Sequence, residues 1–415
     1  MKFPALFRKS DAAVPAQSVP SEPETEIPSP IDAAAYVALP EEEKSAYRPV
    51  DPRYERLPLA CLILYGISAL CLVLYIIQGQ SVAFSDWFNL HVSAPVRGLL
   101  AALTVWVPFS VGELILLLSP VLLGFALWYG IRYRCDTWRT AFVYVGILIS
   151  VVLTIFSLFV LTFSAGYRGS TLDKKLGLED EKVSPGELYD TAEILIRHIN
   201  EETDRFGFGD GGFSSMPYTL GEMNDKLAAA YDTFCEDYDF IRDNAGKPKP
   251  VVVSEIMSYM HITGVYSFFT GEANINVGFP DYTIPYTAAH EMAHQRGVAR
   301  ENEANMTAFL VCICSDDPYI RYSGYLNMYE YVANALYSAD KDLYRRAVAH
   351  LNEEVKNEMS AYNRFYDKYK ESTVSKVSNA VNNTYLQTQK VEVGTKSYGM
   401  VVDLTVAYYK QFPDD

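Results

Sequence analysis

Ile284-Pro285-Tyr286-Thr287-Ala288-Ala289-His290-Glu291-Met292-Ala293-His294-Gln295-Arg296-Gly297 is the stretch on which the reading of this chain turns. Pro285 suits the first turn of a helix, where its missing N–H would have no partner, and Gly297 suits the residue just past the end. The punctuation predicts a short helix between them. On it His290 and His294 lie four apart, so both imidazoles project from one face and can bind one tetrahedral metal ion. Glu291 stands about 100° around the same turn, beside such an ion and not on it. A carboxylate there can take a proton from a metal-activated water and pass it to a leaving amine. With only six histidines in the chain, a chance pattern on a surface helix is the weaker reading.

A catalytic zinc site needs a third protein ligand and an open position. The longer pattern H-E-x-x-H-x-x-G-x-x-H is nearly present, but Arg300 stands where its last histidine would be. The stretch Glu301-Asn302-Glu303-Ala304-Asn305-Met306-Thr307-Ala308-Phe309-Leu310 has the periodicity of a second helix. Glu301 and Glu303 point about 160° apart on an ideal helix, so both cannot bind one ion. Glu301 followed by Ala304 and Asn305 resembles the E-x-x-A-[DN] helix of the glutamate-liganded zincins, among them the peptidase family of bacterial regulators that cleave repressors. That resemblance implies Glu301 as zinc ligand and Asn305, one turn on, as the residue that steadies a ligand. Glu303 remains the rival. The chain as a whole, with three apolar spans ahead of the H-E-M-A-H-Q-R-G and E-N-E-A-N core, also resembles a bacterial multi-pass membrane-protein family known as domain of unknown function 3810. That second resemblance carries no substrate.

Three uncharged apolar stretches, Leu57–Ile77, Leu114–Ile131 and Thr140–Phe163, are long enough to cross a hydrocarbon core of about 30 Å as helices. Between the first two, Phe84–Ser110 holds Trp87, His91, Arg97, Trp106 and Pro108 among small and apolar residues, and reads as an interfacial or partly re-entrant piece. Lys44, Arg48, Arg53 and Arg56 precede the first span, and Arg132, Arg134 and Arg139 fill the turn between the second and third. Both groups belong in the cytoplasm. Everything after Tyr167 is then expected outside a cell membrane that the chain crosses more than once. The expected domains are a disordered cytoplasmic tail over 1–52, a membrane domain over 53–167 and an extracytoplasmic domain over 168–415. The first fifty residues lack the apolar core of a cleavable signal peptide.

Past the spans, helical patterns dominate. Ser184-Pro185-Gly186-Glu187 starts a helix running to about Arg205, and another covers Leu220 to Asp243, with the glycine-rich loop 207–212 between them. Val265–Val277, aromatic and β-branched around a glycine-centred turn, reads as a hairpin or a pair of short strands. A long amphipathic helix is expected from Lys341 to about Lys370. The fold class is therefore an α-helical membrane domain of three transmembrane helices plus a mostly helical α+β domain of zincin-like type.

In zincins a strand beside the metal helix binds extended substrate by adding it to the sheet, which makes Phe269, Gly271 and Asn274 the substrate-binding candidates by position. Tyr398, flanked by polar residues and glycine, is a candidate oxyanion donor, although with 31 tyrosines in the chain a packing role is the commoner one. His198, His261 and His350 stand alone in sequence and read as structural. Of six cysteines, Cys235, Cys312 and Cys314 fall outside the membrane and allow one disulfide at most. A formal charge of −16 argues against a nucleic-acid partner.

The expectation is thus a membrane-anchored, Zn2+-dependent peptidase with Glu291 as general base and acid, acting on a peptide or protein at the outer face of the lipid bilayer. The alternatives are a zincin-like membrane receptor or sensor that binds without turnover, and a structural membrane protein with a fortuitous motif.

Overall fold

The computed structural model of the chain describes residues 28–179, 182–369 and 399–413. They form two compact units, one built from residues up to Leu57 together with Trp128–Gly146, the other from Pro58–Leu127 together with Ile147 onward.

In the first unit β1 (Ser29–Ile31) pairs in parallel with β2 (Tyr47–Pro49), and the single turn α1 (Ala33–Ala38) lies between them. Residues 28–52, expected to lack structure, are therefore partly ordered. Arg48 pairs with Asp136 at 3.1 Å, and the Arg134 guanidinium sits 4.1 Å from the centre of the Tyr54 ring. The expected basic groups are thus drawn together by ion-pair and cation–π contacts.

Among the described residues three helices are long and apolar enough to cross a membrane, as expected: α2 (Leu59–Gln80), α5 (Val111–Tyr129) and α6 (Trp138–Thr162). Small polar groups hold α2 to α6, as is common where lipid offers no hydrophobic drive. Ser157 Oγ donates to Ser68 Oγ at 3.0 Å, and Ser68 reaches the Leu153 carbonyl. Between α2 and α5 the chain forms α3 (Val82–Phe88), a π-helical turn over Asn89–Ser93, and α4 (Ala94–Thr104).

After the one-turn α7 (Leu172–Leu176) comes a helical body. Helix α8 (Pro185–Thr203) opens with the expected capping box, Ser184 and Glu187 satisfying each other's backbone N–H groups. Helix α9 (Leu220–Asp237) has the same device in Thr219 and Glu222. A three-stranded sheet follows, ordered β3 (Lys249–Pro250), β5 (Glu272–Ile275), β4 (Gly264–Ser267), with the short α10 (Ser254–Tyr259) in the β3–β4 connection. The β4–β5 pair is the expected hairpin, in antiparallel register with Val265 opposite Asn274.

Helices α11 (Thr283–Gln295), α12 (Glu301–Ile313) and α13 (Pro318–Ala339) form the centre. Their shared core includes Met292, Phe309, Leu326 and the buried tyrosines Tyr231, Tyr319 and Tyr322. The long helix expected from Lys341 is two, α14 (Lys341–Ala349) and α15 (Glu353–Asp367). The break at His350–Asn352 is made from outside: Asn200 of α8 donates to the His350 carbonyl and accepts from the Asn352 N–H. Helix α16 (Met400–Gln411) closes the body. None of the six cysteines forms a disulfide.

Candidate functional site

Helix α11 is almost wholly interior, every residue but His290 being buried. Ala288, Ala289 and Ala293 give it close approach to its neighbours as well as high helix propensity. Pro285 sits in its first turn, as expected, and Gly297, at φ +99°, ends it in a conformation that favours glycine.

The two imidazoles and Glu301, at the first position of α12, converge. Glu301 Oε2 lies 3.3 Å from His290 Nε2 and 3.5 Å from His294 Nε2. All three ligand atoms fall within 4.8 Å of one another. Ligand bonds of 2.0–2.1 Å in a tetrahedron set neighbouring donors about 3.3 Å apart, close to the two distances from Glu301 to the imidazoles, so the donor set is of a kind that could hold a zinc ion. His294 Nδ1 meets the Val298 carbonyl at 2.7 Å, which makes Nδ1 the protonated nitrogen and turns the Nε2 lone pair to the cluster. Burial opposes charge on His294, but the adjacent Glu301 carboxylate outweighs it and raises the imidazole pKa to about 9. Glu301 itself is held well below the usual carboxylate range by His294 and His290, against the opposing effect of burial. The cluster therefore attracts positive charge, as a proton or as a metal ion.

Glu291 is 4% exposed, and its Oε2 has no hydrogen-bond partner among the described residues. Burial raises its pKa to about 7 against the pull of the two histidines. Strand β4 passes beside it at Gly264, where an added Cβ would come within 2.5 Å of Glu291 Oε1. Any larger residue would displace the carboxylate.

Glu303 points elsewhere. It pairs with Arg300 at 2.7 Å and accepts from the Leu172 N–H at the start of α7. Arg300 also donates to the carbonyls of Tyr167 and Gly169. The residue standing where a third histidine might have been thus ties α12 to the chain leaving α6, with Glu303 as its counter-ion. Asn305 offers its carbonyl to the Tyr286 hydroxyl, and its side chain hydrogen-bonds Tyr331, so its hold on the cluster would run through Tyr331. The Tyr331 pKa is raised by burial, then by the carboxylates of Glu330 and Glu301.

The substrate-strand expectation is corrected. Phe269 and Gly271 lie in the β4–β5 turn, and Asn274 lies in β5, the central strand, with backbone pairing on both sides. Gly271, at φ +72°, packs on Leu100 and Ala101 of α4, and Asn274 Nδ2 donates to Val265 and Glu272 carbonyls. Of the two edge strands, β3 and β4, the one beside Glu291 is β4, at Gly264 and Val265. Tyr398 lies outside the described residues. His261, at φ +59°, bonds the Tyr369 carbonyl and stays out of the cluster.

Sequence reasoning missed Gly264, Phe163 and Arg97. Phe163, one residue past α6, sets its ring edge-on to His294 with centroids 5.8 Å apart. Arg97, fully buried, donates to Asn89 Oδ1 and to the carbonyls of Thr162 and Arg296, the second at the C-terminus of α11. A signal for Arg97 existed, since a lone cation in an apolar stretch has to find partners.

Fold and site together define a helical protein with three membrane-length helices and a His-His-Glu cluster on two adjoining helices. The chain belongs to the family described as protein of unknown function (DUF3810), which matches residues 89–406 and so takes in the last two of those helices and the whole cluster. No curated protein and no solved structure matches it.

Proposed function

We propose that this protein is a membrane-anchored, zinc-dependent peptidase with His290, His294 and Glu301 as metal ligands and Glu291 as general base and acid. The observation that carries the reading is the convergence of three ligand atoms within 4.8 Å of one another beside a buried carboxylate with a free oxygen. When bound, zinc supplies the Lewis acidity that lowers the pKa of a water and polarises a carbonyl. Glu291 Oε2 takes the proton of the attacking water. As the C–N bond of the amide breaks, the same oxygen returns the proton to the amine, so water is added across the bond and Glu291 ends as it began. Backbone groups of β4, the edge strand beside Glu291, supply the hydrogen bonds that would hold an extended peptide. By the distribution of lysine and arginine, the N-terminus is cytoplasmic and the site extracytoplasmic, in the cell membrane.

The test is metal content and peptide hydrolysis of the purified full chain and of Glu291→Gln. One zinc per chain in both proteins is expected, with hydrolysis reduced by roughly 10²–10⁴ in the variant. Hydrolysis unchanged in Glu291→Gln would sink the mechanism. Zinc bound with no hydrolysis by either protein would favour a receptor that uses the same site without turnover.

A further inference from the structure

The geometry points to a substrate class: polypeptides tethered in the same membrane, cut within a few residues of the bilayer surface. This rests on the peptidase reading and specifies its substrate.

The site is built onto the ends of the membrane-length helices. Phe163 follows the last residue of α6 and touches His294, a proposed ligand. One turn earlier, Phe159 meets Phe268 of the β4–β5 turn, ring centroids 5.6 Å apart. The other side of the sheet is fastened to the start of α5. There Glu272 of β5 accepts from the N–H groups of Val111 and Gly112 at 3.1 and 2.7 Å, and Glu113 accepts from Val252 and Val253. A chain that leaves the bilayer extended, at about 3.3 Å per residue, would reach a metal ion held on His294 in roughly three residues past the end of α6.

The surface around the site has the chemistry of a membrane interface. Helix α4 turns Arg97, Ala101 and Thr104 inward, where Thr104 accepts from Lys249 and contacts the β4–β5 turn. Its opposite side exposes Leu99 and Leu103, and in the turn after it Trp106 is 87% exposed. Val252 and Ile256, beside the start of α5, are 80% and 56% exposed, and Val265 projects from the edge strand itself. Aromatic and aliphatic side chains left bare next to membrane-length helices mark contact with lipid. A site held there meets chains that emerge from the bilayer, and a soluble peptide would have to reach it against the membrane.

The experiment reconstitutes the full chain in vesicles of phosphatidylethanolamine and phosphatidylglycerol with a single-span helix carrying a randomised segment of about twelve residues, long enough to lie along one edge strand. One pool joins the segment directly to the helix. A second inserts a flexible spacer of about 30 residues, and a third is the free segment without a helix. Cleavage is read by mass spectrometry. The directly joined pool should be cut at least about tenfold faster than the other two, since the concentration of tethered chain at the site falls with spacer length. Its cut sites should cluster next to the helix. Equal rates for all three pools, or faster cutting of the free pool, overturn the inference and leave the peptidase reading standing. No cleavage of any pool by zinc-loaded protein overturns the peptidase reading, and the inference with it.

Discussion

Two glutamates separated by one residue at the start of α12 have different partners, and the difference is testable. Glu301 shares its Oε2 with both imidazoles, while Glu303 is committed to Arg300 and the Leu172 N–H. Glu301→Gln is expected to weaken zinc binding by at least about a hundredfold, a loss no smaller than that for removing an outer partner of a ligand. Glu303→Gln should keep zinc and cost about 1–3 kcal/mol of stability, because the partly buried Arg300 is left without a counter-charge. Zinc titration and thermal melting of both variants check this, and zinc loss in Glu303→Gln alone would reverse the assignment. At Gly264 a methyl group would press on Glu291 and not on the ligands. Gly264→Ala should leave zinc affinity unchanged and lower turnover by roughly 10²-fold, the usual result of misplacing a reacting group by about 1 Å. Hydrolysis at the wild-type rate would show that the carboxylate has room to move. His290, Glu291 and His294 are legible in the sequence because their relation is local, fixed by helix period alone. The choice between Glu301 and Glu303 rested on a resemblance, since what occupies Glu303 is an arginine held by carbonyls of Tyr167 and Gly169, more than 100 residues away in the chain.

Among the elements, α11 and α6 end at the same place, and one side chain serves both. Carbonyls at a helix C-terminus lack intrahelical partners and carry the negative end of the dipole, so a buried guanidinium is well matched to them. Arg97 donates to Thr162 at the end of α6 and to Arg296 at the end of α11, while Asn89 donates to the next carbonyl, Gly297. Arg97→Met should therefore lower stability by about 2–4 kcal/mol, because several buried carbonyls lose their donor together. Thermal melting measures it; a melting temperature unchanged within a degree would mean that water replaces the guanidinium at little cost. The start of α8 was readable because Ser184 announces itself through a glutamate three residues on. The interruption at His350 was not, since Asn200 of a different helix imposes it. The edge strand was misassigned for a related reason: hairpin position is local, but β5 becomes central only when Lys249–Pro250 pairs along its other side.

At the scale of the whole molecule, stability should depend on pH through a carboxyl outside the His-His-Glu cluster. Burial raises the Glu330 pKa to about 7, opposed in part by the Tyr282 hydroxyl that it accepts from at 3.1 Å. A carboxyl raised in this way favours the folded state below its unfolded pKa of about 4.5, and the benefit is lost as pH rises through 7. Wild-type protein should lose on the order of 1–3 kcal/mol between pH 5 and 8, and Glu330→Gln should flatten that slope. Melting curves at both pH values decide, and equal slopes would assign the titration to another group.

Composition draws a border near Tyr167, where apolar spans give way to acidic helical sequence, yet one compact unit joins Pro58–Leu127 to Ile147 and everything after it. The contacts responsible are single residues distant in sequence: Arg97 on Arg296, Glu272 on Gly112, Phe163 on His294, and Gly166, where an added Cβ would meet the Gly297 carbonyl at 2.6 Å. No hydropathy window or helix period registers them. A protein cut to residues 168–415 would lose all four, exposing the end of α11 and one side of the proposed zinc ligand His294. It should melt without a cooperative transition or bind zinc at least about tenfold more weakly than the full chain, as expected when the groups that orient a ligand are removed. Calorimetry and zinc titration of the two proteins in the same detergent make the comparison. A cooperative melt with full affinity would mean that the cluster is organised by α11 and α12 alone, and that the membrane-length helices anchor the site without shaping it.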